Sequence, residues 1–222
     1  KVIPNITIMA PKDFKELEDM MNFAITLKKP VVIRYPRGGE AKEKFITHSQ
    51  IQYKRSDILT IGNDVTIVAI GNQVAKALNV CRKLKEEGIN AEVINARFLK
   101  PFDKYTVLKS INKTHFVVTI EDNSLVGGLG AEVKELIAER RISNVIVRNF
   151  GYPDVFVEHG TPQELEEIYK LDEKSVFNYI TNEIKYKKRT NKNNKFNKKN
   201  KTKKYVDNKA NKNIDESQNK IG

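Results

Sequence analysis

The sequence predicts an α/β fold, with a mostly parallel sheet flanked by helices. Short apolar runs that are typical of buried strands alternate with segments whose apolar residues recur at helical spacing. Such alternation is typical of parallel sheets that are covered by helices on both faces. Hydrophobic residues make up 39% and charged residues 31% of the 222 residues, as expected for a globular protein with a polar appendage.

The first forty residues are predicted to form a β-α-β unit. The run from Ile3 to Ala10 indicates a buried strand, and Asp13 followed by Glu16 resembles the capped start of a helix. Val31, Val32 and Ile33 then indicate a second strand. Two strands and one helix cannot close a core alone, so we expect this unit to be the end of a larger domain.

Residues 41–57 are mostly polar and show no sustained periodicity, so we expect a linker with His48 as an exposed loop residue. A second domain is predicted at 58–182. It begins with apolar runs on either side of Gly62-Asn63-Asp64, which we expect to form a hairpin. The remaining predicted elements are helices at 73–87 and 103–110, strands at 91–94, 115–120 and 145–147, a helix after Gly130, and two helices from Thr161 to about Asn182.

Residues 183–222 differ in composition from the rest of the chain. They hold 14 of the 40 basic residues but only 4 of the 28 acidic ones, so most of the net charge of +12 lies here. This Lys/Asn-rich tail buries too little apolar surface to offset its ordering entropy, and we expect it to be disordered. Weak, salt-dependent polyanion binding by the tail is expected, and a nucleic-acid-associated protein is therefore one alternative function.

Several kinds of site are not indicated by the sequence. No apolar run approaches the roughly 20 residues that a membrane-spanning helix needs. Cys81 is expected to be a small core residue on the apolar face of a helix. A single cysteine cannot form an internal disulfide, which suggests a reducing compartment. Three scattered histidines give no metal-ligand spacing. The chain begins at Lys1 within an apolar run, so we expect it to be a fragment.

Arg34 and Arg37 are the candidate binding residues. They follow a predicted buried strand in the run VIRYPRG at 32–38. Ligands in parallel α/β sheets bind outside the carboxyl ends of the strands, and a guanidinium offers a planar, permanently charged fork that matches a phosphate. Surface ion pairs are an equally good explanation of the spacing alone.

Two further groups of residues have weaker functional signals. The glycines of Gly127-Gly128-Leu129-Gly130 could cradle a phosphate at a helix N-terminus, but a tight turn into the helix is favoured. Glu121 and Asp122 could act as paired acids. Adjacent residues on a strand point in different directions, so we expect one acid to contact the turn instead.

Five segments together resemble one family. They are PNITIMAPKD at 4–13, PVVIRYPRGG at 30–39, ARFLKPFD at 96–103, TIEDNSLVGGLG at 119–130 and GYPDVFVEHGT at 151–161. In this order they are similar to segments of the 1-deoxy-D-xylulose-5-phosphate synthase family, which belongs to the transketolase-like thiamine diphosphate enzymes. The resemblance covers the chain from Pro4 to about Asn182, and the tail has no counterpart.

The resemblance implies a domain order and a reaction. Residues 1–40 would end the pyrimidine-binding domain, which is the middle domain of transketolases, and 58–182 would form a transketolase C-terminal domain. The intact enzyme would join pyruvate to glyceraldehyde 3-phosphate with loss of carbon dioxide, and it would supply precursors of isoprenoids and thiamine. Thiamine diphosphate and Mg²⁺ would be held upstream, so we expect this fragment to lack catalytic and metal-binding residues, to be inactive and to bind no cofactor.

The resemblance also implies site residues and partners. Arg37 would hold the phosphate of glyceraldehyde 3-phosphate, with Arg34 as a second contributor. The enzyme would be a homodimer in the bacterial cytoplasm, or in a plastid-like organelle. The β subunit of a 2-oxo acid dehydrogenase shares the domain order and is the other alternative, although it does not require a phosphate anchor at that turn.

Overall fold

The computed structural model describes residues 1–36 and 48–190. Two compact units are distinguished, Lys1–Asn178 and Tyr179–Gly222. The described residues of the second unit, 179–190, are helical. The prediction that the tail is disordered from residue 183 is wrong for residues 183–190, which continue a helix, and residues 191–222 lie outside the described ones. The domain boundaries at 40, 57 and 182 stay predictions.

The β-α-β unit is confirmed and forms part of a three-stranded sheet. β1 (Thr7–Met9) and β2 (Val31–Ile33) pair in parallel, and α1 (Phe14–Thr26) connects them. β1 is therefore shorter than the predicted strand. The third strand, β6 (Phe98–Lys100), comes from the ARFLKPFD segment and pairs antiparallel with β1, which gives the order β2-β1-β6. β6 was not predicted from the sequence.

The second sheet has five strands, in the order β3-β5-β4-β7-β8. They are β3 (Asp57–Thr60), β4 (Val65–Ala69), β5 (Ala91–Asn95), β7 (Phe116–Ser124) and β8 (Ile146–Tyr152). β4 pairs in parallel with β5 and β7, β7 pairs in parallel with β8, and β3 alone is antiparallel within this sheet. The predicted α/β fold with a mostly parallel sheet is confirmed.

The described residues after β4 include five helices. They are α2 (Gln73–Glu86), α3 (Lys104–Thr114), α4 (Leu129–Glu139), α5 (Pro162–Ile168) and α6 (residues 173–190). Two predicted helix starts are confirmed, because Asp13 accepts a hydrogen bond from the Glu16 amide and Thr161 forms a reciprocal capping box with Glu164. α6 continues beyond Asn182, where the sequence predicts its end.

The main core lies between the second sheet and its helices. Its buried members include Val68, Ile94, Val117, Leu129, Val133 and Leu136. Cys81 is buried on α2, with its Sγ 3.6 Å from Thr60 Oγ1, so its prediction as a core residue is confirmed. Among the described residues, no helix is both long and apolar enough to cross a membrane.

The predicted hairpin between β3 and β4 is wrong. β5 lies between these two strands and pairs with both. All five residues of β4 are buried, so β4 needs a neighbour on each side, whereas the partly exposed β3 lies at the sheet edge. The turn passes over the start of β5 instead, where the Asp64 amide donates to the Asn90 carbonyl oxygen at 3.0 Å.

Replacing Gly62 with alanine is expected to lower the free energy of unfolding by about 1–3 kcal/mol, the usual cost of overpacking a closely packed site. The added Cβ would lie 2.3 Å from the Ala91 carbonyl carbon, and this backbone atom belongs to a central pairing. Urea unfolding checks the effect. Gly160→Ala is the matched control, because the atoms nearest to its Cβ would be in the Leu165 and Glu164 side chains, at 3.3 Å or more. Equal stability of the two variants would contradict the expectation.

Candidate functional site

Arg34 lies directly after β2, at the carboxyl end of this strand, and it is partly buried. Its amide donates to the Met9 carbonyl oxygen at 2.8 Å, which continues the pairing of β2 with β1. Its guanidinium Nη2 donates to the carbonyl oxygen of Asp122, at the end of β7. Arg37 lies outside the described residues. Of the two candidate arginines, the structure therefore describes Arg34, which contacts the second sheet.

The Glu121 carboxylate closes the turn that follows β7. Its two oxygens accept hydrogen bonds from the first amides of α4, at 2.7 Å from Leu129 and 2.9 Å from Gly130. Glu121 is 2% exposed, and burial raises its pKa, while the two amides and the charge of Arg34 offset part of this shift. The prediction that one of the adjacent acids contacts the turn is confirmed.

The glycines of this turn permit close packing. A Cβ on Gly128 would lie 2.1 Å from Glu121 Oε2, and one on Gly130 would lie 2.3 Å from Asn149 Nδ2. Because the Glu121 carboxylate occupies the N-terminus of α4, a phosphate at the same amides would meet a buried negative charge. These residues do not fit a diphosphate. The described residues also hold no group of three or more His, Cys, Asp or Glu side chains that could bind a metal ion.

Asp122 links the two sheets. Its backbone oxygen accepts from Arg34, and its Oδ2 accepts from Asn72 Nδ2 at 3.3 Å. Asn72 precedes α2 and makes no side-chain cap, so its amide is available for this contact. A Cβ on neighbouring Gly71 would lie 3.5 Å from Ala10 Cβ. The carboxyl ends of β1, β2, β4 and β7 thus converge at Arg34 and Asp122.

A second cluster joins β6 to α1, around Arg97. This side chain is 3% exposed, and its Nε donates to Glu16 Oε1 at 2.7 Å. Its Nη2 donates to the Ser49 carbonyl oxygen at 3.0 Å and to Asp57 Oδ2 at 3.2 Å. Arg97 was not among the candidate residues predicted from the sequence, although it is the arginine of the ARFLKPFD segment.

Glu16 collects the other contacts of this cluster. Besides Arg97, it accepts from the Lys12 amide at 2.8 Å and from Asn95 Nδ2 at 3.0 Å. The neighbouring Asp13 carboxylate lies 2.7 Å from His48 Nε2. His48 is exposed as predicted, but its side chain is hydrogen-bonded to Asp13. The cluster therefore holds residues 48–50 against the start of α1.

Comparison with known proteins identifies a family for residues 55–176. The family described as transketolase, C-terminal domain, matches residues 55–176. A relative from Halothermothrix orenii named 1-deoxy-D-xylulose-5-phosphate synthase is 42% identical over 177 residues, which are 79% of this chain and 28% of the relative. One of the same name from Caldanaerobacter subterraneus is 37% identical over 83% of this chain and 30% of its own length. The chain thus spans less than a third of the length of these curated relatives.

Solved structures agree with the family match. A structure titled as a split-gene transketolase, inactive β4 tetramer, superposes with a TM-score of 0.76 at 35% identity, over 83% of this chain and 59% of that chain. A Pichia stipitis transketolase in complex with sedoheptulose 7-phosphate has a TM-score of 0.63 at 20% identity, over 84% of this chain and 26% of its own, and shows the fold alone. The chain belongs to the transketolase C-terminal domain family.

Proposed function

We propose that this chain is the C-terminal part of a thiamine-diphosphate-dependent transferase that forms 1-deoxy-D-xylulose 5-phosphate and carbon dioxide from pyruvate and glyceraldehyde 3-phosphate. The observation that carries the proposal is the similarity to synthases of that name, at 35–42% identity over about four fifths of the chain. The RYPRG segment at 34–38 supports the proposal over the alternative, because a 2-oxo acid dehydrogenase β subunit does not require a phosphate anchor there.

In this proposal the chain supplies the anchor for the phosphorylated substrate. Arg37 holds the phosphate of glyceraldehyde 3-phosphate, and Arg34 is the second contributor. The position of Arg34 at the carboxyl end of β2 supports this role, since ligands of parallel sheets bind at that edge. Holding the aldehyde in place turns an encounter of two molecules into a reaction within one complex.

The upstream part of the intact enzyme, in this proposal, binds thiamine diphosphate and Mg²⁺ and provides the catalytic residues. The cofactor supplies the carbanion chemistry when it is bound. The enzyme is a homodimer in this proposal. Its location is the bacterial cytoplasm, which accords with the organisms of its relatives, or a plastid-like organelle if the source is a eukaryote. Weak polyanion binding by residues 183–222 stays a prediction, and DNA binding at low and high salt, with and without these residues, would test it.

A chimeric enzyme (the joined enzyme) tests the proposed function. In it, this chain replaces the 177 matched residues of the Halothermothrix orenii synthase. We expect it to form 1-deoxy-D-xylulose 5-phosphate in the presence of thiamine diphosphate and Mg²⁺, whereas the chain alone gives no turnover and shows no micromolar cofactor binding in calorimetry. If the folded joined enzyme releases carbon dioxide from pyruvate but transfers the remaining two-carbon group to a lipoyl acceptor, the dehydrogenase alternative is favoured.

A further inference from the structure

Arg34 contacts the second sheet through one acceptor, the carbonyl oxygen of Asp122. A guanidinium is a rigid, planar group, so a hydrogen bond to a fixed oxygen restricts both its position and its orientation. Because the acceptor is a backbone atom, its place depends on how firmly the end of β7 is held. The residues around Asp122 therefore determine where the Arg34 charge lies.

Two side-chain contacts reinforce the backbone pairing of β7 with β8 near Asp122. Glu121, immediately before Asp122, binds the Leu129 and Gly130 amides of α4 through both carboxylate oxygens. Asn72, which precedes α2, donates to the Asp122 side chain at 3.3 Å. Hydrogen bonds from backbone amides to a carboxylate are among the stronger ones in proteins, and this carboxylate is 2% exposed. These contacts, together with the pairing to β8, restrict movement of the Asp122 carbonyl.

Charge links Glu121 to Arg34 as well. Arg34 and Lys1 are the cations whose charges favour the ionised form of Glu121, against the burial that disfavours it. The same attraction acts on the Arg34 guanidinium, because an electrostatic interaction is mutual. A neutral residue at position 121 would remove this attraction and would also weaken the closure of the turn.

We propose that Glu121 is a positioning residue for Arg34. Through the end of β7 and through its charge, it holds the guanidinium of Arg34 in the orientation in which Arg34 contacts the substrate phosphate. The C-terminal domain thereby contributes to recognition of the phosphorylated aldehyde without touching it. The inference rests on the proposed function, since it requires Arg34 to bind the substrate.

Glu121→Gln in the joined enzyme tests the proposal. Glutamine has the same shape but no charge, and its NH₂ group would face the amide of Leu129 or Gly130. We expect KM for glyceraldehyde 3-phosphate to rise roughly threefold to tenfold, in the range found for residues that act through others, while KM for pyruvate stays unchanged. Glu121→Asp, which keeps the charge, is expected to recover part of the loss. Glu135→Gln is the matched control, because Glu135 is exposed on α4, the helix whose first amides Glu121 contacts.

The two KM values separate positioning from a purely structural role. A destabilised turn that merely reduces the amount of active enzyme lowers kcat and leaves both KM values unchanged, and that result would overturn the proposal. If Glu121→Gln does not fold, Asn72→Ala removes the other contact of Asp122 without removing a helix cap, and it must raise the same KM. If Arg37→Met leaves KM for glyceraldehyde 3-phosphate unchanged, the proposed function itself is contradicted, independently of the result for Glu121→Gln.

Discussion

Replacing Arg97 with methionine is expected to lower the free energy of unfolding by about 3–5 kcal/mol, the usual cost of removing one partner from a buried ion pair. Methionine fills a similar volume but removes Arg97 Nε, which lies 2.7 Å from Glu16 Oε1. Glu16 is only 1% exposed, so water cannot replace this partner easily. It also removes the donors to Ser49 and Asp57. Urea unfolding of the chain measures the change.

A second substitution shows whether the buried charge is the cause. After Arg97→Met, the Glu16 carboxylate keeps Lys12 Nζ at 3.3 Å but has lost its shorter, hydrogen-bonded contact to Arg97. In Arg97→Met combined with Glu16→Gln this carboxylate is gone, so the double variant is expected to be less destabilised than the sum of the two single variants. Arg55→Met is the matched control, because Arg55 is exposed. A loss below 1 kcal/mol for Arg97→Met, or strict additivity in the double variant, would contradict this account of the cluster.

Arg37→Met in the joined enzyme is expected to raise KM for glyceraldehyde 3-phosphate about tenfold to a hundredfold, which corresponds to losing a hydrogen-bonded charge. This prediction follows from the proposed function. KM for pyruvate is expected to stay the same, because pyruvate has no phosphate group. Arg37→Lys keeps the charge but loses the planar fork, so its effect should be intermediate. Steady-state kinetics with each substrate varied in turn measures these values.

Unphosphorylated glyceraldehyde provides the control for the anchor. It lacks the group that Arg37 is proposed to hold, so kcat/KM for this substrate should be similar in the original and Arg37→Met enzymes. Arg140→Met, at an exposed arginine after α4, controls for a general loss of positive charge. An equal loss with both aldehydes would show that Arg37 does not act through the phosphate.

Local patterns in the sequence predicted much of the fold. The helix starts at Asp13 and Thr161 were predicted correctly, because a cap involves residues three positions apart. The role of the Glu121-Asp122 pair was also predicted, since adjacent strand residues point to opposite faces and only one acid could reach the turn. Both inferences depend on geometry that neighbouring residues define by themselves.

Pairing between distant segments was decided by the tertiary structure. The hairpin at Gly62 was wrong because burial of β4 on both sides selects β5 as its neighbour, and β6 was missed because its partner β1 is far away in the chain. The site contacts have the same origin: Arg34 lies 88 positions from Asp122, and Glu16 lies 81 positions from Arg97.

The sequence alone therefore determined the class of fold, the helix starts and the family resemblance, because these depend on local periodicity and on ordered motifs. Only the tertiary structure decided which strands pair, and which charges meet inside the protein. A buried charge requires a partner, but any residue that the folded chain brings near can supply it. Nothing in the spacing of residues along the sequence specifies that partner.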